Sequence, residues 1–115
     1  MTRVKRGVST KKRHKRLLKE TKGYWGQRKN VFRRASETLL RAMAFATKGR
    51  KLKKRDMRAL FITRINAAAK QQGISYSKFM HGLHQAQVLL NRKMLSQLAI
   101  YEPQAFEKLA ALIKG

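Results

Sequence analysis

From Ala59 onward, apolar residues recur at helical spacing on a broad face, whereas before Ala59 the chain is dense in Lys and Arg. The stretch Gln27 to Gln72 crosses that change. It contains no proline and one glycine, Gly49. Its pattern predicts one long helix, which Gly49 allows to kink. At 1.5 Å per residue such a helix would reach about 70 Å. Its last third presents Leu60, Phe61, Ile62, Ile65, Ala68 and Ala69 on a broad apolar face. Gly73 is placed to end it, with Ile74 making the apolar contact that accompanies a glycine stop. Ser75 then caps a short helix carrying Phe79, Met80 and Leu83. Val88, Leu89 and Leu90 are expected to cross the core. Asn91 caps a further helix that turns Met94, Leu95, Leu98 and Ala99 inward. Pro103 suits the first turn of a last helix, striped by Phe106, Leu109, Ala110 and Ile113.

Upstream, Ser9 or Thr10 is expected to cap a first helix running to about Thr21, in which Leu17 and Leu18 are the substantial apolar residues. Gly23 stops that helix, and Gly26 permits a tight reversal. No alternating strand pattern or internal repeat occurs. The expected fold is all-α, with a long basic N-terminal helical arm projecting from a small C-terminal helical bundle. The expected domains are residues 1–58, a basic extension, and residues 59–115, a globular helical part. A core of that size supplies about 3–5 kcal/mol.

Charge sharpens this division. The chain carries 29 Lys and Arg against 5 Asp and Glu, a net of +24 over 115 residues. Residues 1–58 hold 22 basic and 3 acidic side chains, and residues 59–115 hold 7 and 2. A body at this charge repels itself unless counter-charge is supplied. Nucleic acid supplies it most densely, because binding releases condensed counterions from its phosphates. Isolated in water, the N-terminal segment has too little apolar surface to fold against its own repulsion.

The contacts are expected along this basic half. Arg34, Arg41, Lys48 and Arg55 recur every seven residues, with Lys51 and Arg58 on the same side, making a cationic ridge. A second stripe, Phe32, Ala35, Leu39, Met43 and Ala46, follows the helical period and is expected to pack on the first helix or a neighbour. Residues 50–58 are the densest run. The set expected to bind nucleic acid, and RNA above all, is Arg3, Lys5, Arg6, Lys11, Lys12, Arg13, His14, Lys15, Arg16, Lys19, Lys22, Tyr24, Trp25, Arg28, Lys29, Arg33, Arg34, Arg41, Lys48, Arg50, Lys51, Lys53, Lys54, Arg55 and Arg58. Of Tyr24 and Trp25, one packs the turn and the other stacks on an unpaired base or a ribose; the sequence does not choose between them.

Chemistry beyond binding is not encoded. The chain has no cysteine, so disulfides, thiolate metal sites and thiol catalysis are excluded. The few acids are scattered, leaving no paired carboxylates. His81 and His84 share a helix face without a nearby acid, a weak ligand set that reads as surface. No phosphate-binding glycine loop occurs. No catalytic residue, metal, cofactor or small-molecule substrate is expected. No apolar run is long enough to span a membrane, and the basic N-terminus lacks the apolar segment of a secretory signal.

Several motifs stand together: Arg3-Val4-Lys5-Arg6-Gly7, Lys22-Gly23-Tyr24 with Gly26, and Arg64-Ile65-Asn66-Ala67-Ala68-Ala69. Gly73 with Tyr76-Ser77 and Phe79, Gly82-Leu83, and Asn91-Arg92-Lys93 with Leu95 complete the set. In combination they resemble the bacterial and plastid large-subunit ribosomal protein L twenty family. The resemblance spans essentially the whole chain, and Gln87 stands where the family often has glycine. It implies a basic arm threaded into large-subunit (23S-type) rRNA and a C-terminal part seated nearer the surface. It also implies neighbouring ribosomal proteins as partners, a role in subunit assembly, and in some bacteria repression through the protein's own mRNA. The location implied is the ribosome, in the bacterial cytoplasm or plastid stroma. Two rivals remain from composition alone: an architectural DNA-binding protein, and a membrane-active cationic helix protein.

Overall fold

The computed structural model describes Arg3, Lys5 and residues 7–114. Those residues are all-helical: α1 (Val8–Glu20), a short 3-10 turn (Gly26–Lys29), α2 (Phe32–Gln71), α3 (Tyr76–Gln85), α4 (Arg92–Tyr101) and α5 (Pro103–Lys114). The chain divides into two compact units, residues 1–50 and 51–115.

In the first unit, α1 starts earlier than Ser9 and Thr10 suggest. Gly7 is its N-cap, and no side chain closes it. Ser9 and Thr10 lie inside the first turn instead. At the other end Thr21 is completely buried, with its hydroxyl donating to the carbonyls of Leu17 (3.5 Å) and Leu18 (3.3 Å). Gly23, at φ 87°, is the third residue of a turn closed by the Tyr24 N–H on the Thr21 carbonyl. Gly26, at φ 59°, opens the 3-10 turn.

The long helix is shorter at its start than the pattern predicts. Residues 27–29 belong to the 3-10 turn, and α2 begins at Phe32. Asn30, an interior-helix-averse residue, sits at φ −126° between the two. Helical structure continues through Gly49 unbroken. The packing of this unit is thin. Among its described residues Ala35 is the buried apolar one, with His14, Leu17, Leu18, Tyr24, Phe32 and Leu39 half-buried. The predicted stripe therefore fades: Met43 is 55% exposed and Ala46 is also exposed.

The second unit has a core. Ile65 and Ala69 from the end of α2 meet Ile74, Phe79 and Leu83, Leu95, and Phe106 and Ala110. The Phe79 and Phe106 rings lie 4.9 Å apart between centroids. The helix ends are built as their residues suggest. Ile74 N–H donates to the Ala69 carbonyl and Gly73 N–H to that of Lys70, both at 2.9 Å, the paired bonds of a glycine-terminated helix. The Ser75 hydroxyl accepts from Lys78 N–H (3.4 Å) and Asn91 Oδ1 from Met94 N–H (2.9 Å). Pro103 opens α5. Two expectations fail here. Leu89 does not cross the core but is 94% exposed, and Met94 is 44% exposed. The loop after α3 explains both. Val88 N–H folds back onto the Leu83 carbonyl, half-burying Val88 and Leu90 and turning Leu89 to solvent. Capping by Asn91 then sets α4 so that Leu95 and Ser96, not Met94, face inward.

Candidate nucleic-acid interface

An exposed Lys or Arg keeps its ammonium or guanidinium in water while its stem lies along the helix. In the first unit every described cation of the predicted set is exposed: Arg3, Lys5, Lys11, Lys12, Arg13, Lys15, Arg16, Lys19, Lys22, Arg28, Lys29, Arg33, Arg34, Arg41, Lys48 and Arg50. Arg6 lies outside the described residues. Neither α1 nor α2 has an acid in its first turn. Arg33 and Arg34 instead place positive charge where the helix dipole is already positive, an arrangement that costs a few tenths of a kcal/mol to about 1 kcal/mol without an anion. Arg34, Arg41 and Lys48 share one side of α2 by their spacing of seven. Arg50 donates to the Thr47 hydroxyl at 3.2 Å, which leaves its charge uncompensated.

In the second unit the part of α2 before the core continues in the same chemistry. Residues 51–60 are all exposed, including Lys51, Lys53, Lys54, Arg55 and Arg58. No side chain of this run enters the core, so nothing in the unit itself requires these residues.

The aromatic and imidazole groups separate by burial. Tyr24 is half-buried, whereas Trp25, next to it, is 91% exposed. His14 is half-buried with its ring stacked on Phe32, 3.9 Å between centroids, so it is a packing contact between α1 and α2. The sequence pattern hid this, because His14 sits among cations. His81 and His84 are exposed on α3, and among the described residues no three His, Asp or Glu are grouped to hold a metal ion. Phe45 escaped the sequence reading because it lies off the apolar stripe. It is 64% exposed, with Lys48 Nζ 5.9 Å from its ring centroid. Its signal is the spacing: it lies four residues after Arg41 and three before Lys48. Among the described residues no helix is long and apolar enough to cross a membrane.

Such a surface offers many point charges on ordered helices, a few exposed rings, and no assembled acid–base or metal chemistry among the described residues. It is suited to binding a polyanion. The family model described as Ribosomal protein L20 matches residues 3–109. The chain is 55% identical to large ribosomal subunit protein bL20 of Clostridium novyi (strain NT) over 114 residues, 99% of this chain and 96% of that one. It is 51% identical, with the same coverage, to the proteins of that name from Caldanaerobacter subterraneus subsp. tengcongensis and Thermoanaerobacter sp. (strain X514).

Proposed function

The chain belongs to the ribosomal protein L20 family, and from that premise we propose that it binds large-subunit rRNA directly and helps the subunit assemble. It is a structural protein of the large ribosomal subunit, not an enzyme. The observation that carries the RNA-binding reading is the exposure of every described cation of the predicted set within residues 1–58. Each can meet a phosphate, and together they hold RNA segments close that would otherwise repel. A-form RNA closes its deep groove to most side chains, so recognition rests on backbone, shape and 2′-hydroxyl contacts. Its site of action is the ribosome, and the relatives reported above are bacterial, which favours a bacterial ribosome over a plastid one. Other ribosomal proteins are its neighbours there. Repression through its own mRNA is a use to which the same RNA-binding surface lends itself.

The test is the salt dependence of binding to large-subunit rRNA. Arg41→Ala and Arg55→Ala should each weaken binding and lower the slope of log affinity against log salt by about 1, since each removes a phosphate contact. An unchanged slope in both variants would refute this placement. Equal affinity for duplex DNA at matched salt would favour an architectural DNA-binding role instead.

A further inference from the structure

We propose that Trp25 and Phe45 are stacking points for unpaired nucleotides, so that the first unit engages RNA where its strands part as well as neutralising duplex phosphate. This rests on the RNA-binding reading above. An aromatic ring left in water is unfavourable unless something covers it. Trp25 is 91% exposed and Phe45 64%.

The Trp25 ring is presented from an ordered turn, not from a loose tail. On one side, Tyr24 N–H is bonded to the Thr21 carbonyl; on the other, the Trp25 carbonyl accepts from Arg28 N–H at 3.3 Å. The two positive-φ glycines, Gly23 and Gly26, bracket it. Tyr24 takes the packing role and frees Trp25 for the partner. Phe45 stands on α2 between Arg41 and Lys48, with the Lys48 ammonium 5.9 Å from its ring centroid. Residues 38–55 contain no Asp or Glu. A protein surface covering Phe45 would have to supply all the counter-charge itself. A nucleotide brings both needed parts in one unit, a flat face for the ring and a phosphate for Arg41 or Lys48. Stacking of this kind tolerates any base, because every base has a π-face.

Trp25 is the sole tryptophan of the chain, so its emission reports directly on its ring. The full chain is titrated with single-stranded oligo(A), and with the same strand paired to oligo(U), at equal phosphate concentration. Emission should be quenched strongly by the single strand and little by the duplex. Phe45→Ala should weaken single-strand binding by about tenfold, the loss of one stacked base. It should leave the salt slope unchanged, because no phosphate contact is lost. Alanine favours helix, so α2 is retained in the bound variant, and circular dichroism of the RNA complex verifies this. Phe45→Leu keeps apolar area without an aromatic face and should behave like Phe45→Ala.

Equal quenching by both RNAs, or full affinity in Phe45→Ala, would overturn the inference while leaving cationic RNA binding intact. Full affinity in Phe45→Leu would mark Phe45 as a plain apolar contact, as for an acidic protein partner, and would overturn its stacking role. Failure of both RNAs to bind would overturn the RNA reading and this inference with it.

Discussion

The two units use their side chains in opposite ways. The second buries Ile65, Phe79, Leu83, Leu95 and Phe106 in one cluster, drawn from α2, α3, α4 and α5. Among its described residues the first buries Ala35 and Thr21, and exposes sixteen Lys and Arg side chains. Burying a large apolar side chain stabilises by roughly 1.5–3 kcal/mol. By that measure the second unit is expected to hold itself together, and the first to lack the means to outweigh its own repulsion. Helicity does not imply self-sufficiency: a helix draws most of its stability from what its apolar face packs against.

The contrast can be broken most forcefully at Phe79. Phe79→Ala removes a fully buried ring and its stack on Phe106. It should cost about 3–5 kcal/mol, enough to unfold the unit, as read by urea denaturation followed by circular dichroism. Leu17→Ala, at a half-buried site in the first unit, should cost about 1 kcal/mol or less in the same assay. Similar losses at both sites would erase the distinction.

A smaller effect is expected at Gly82. A Cβ there would overlap the Ile113 side chain, so Ile113 or its helix must shift to admit a larger residue. Gly82→Ala should destabilise by about 1–2 kcal/mol despite alanine's better helix propensity. A gain in melting temperature would show that Ile113 yields freely.

The next position works in the opposite direction. Gln87 adopts φ 54°, and its N–H bonds the His84 carbonyl while Val88 N–H bonds that of Leu83. This is the same closure that Gly73 gives α2, but with a side chain in the left-handed region. Gln87→Gly should therefore raise stability by about 0.5–1 kcal/mol, measured by thermal unfolding. The smallest effect belongs to Ser96, whose buried hydroxyl has no hydrogen-bond partner. Ser96→Ala should be neutral or stabilising by less than about 1 kcal/mol. A clear loss there would mean the hydroxyl is satisfied in solution.

Much of this was legible in the sequence, and for identifiable reasons. Ser75, Asn91, Gly73 and Pro103 act through their own backbone neighbours, so local pattern located them. The apolar faces carrying Phe79, Leu95 and Phe106 announced themselves by period. What was hidden depends on tertiary partners. His14 looks like one more polar residue in a basic run until Phe32 is placed against it. Leu89 and Val88 are alike in sequence, and only the backbone bond to Leu83 decides which faces water. Tyr24 and Trp25 are separated by the turn through Gly23, which no spacing rule resolves. Phe45 was missed because its neighbours are cations, and an apolar stripe was the wrong template for it.

Circular dichroism at 222 nm on two separate fragments, residues 1–58 and 59–115, with and without large-subunit rRNA, tests the central claim most directly. Residues 51–60 contribute no buried side chain, so a cut at 58 leaves the second core intact. The account predicts that residues 59–115 are helical and unfold cooperatively alone, while residues 1–58 gain their helix only when RNA is added. A fragment of residues 1–58 that is stably helical without RNA would contradict it.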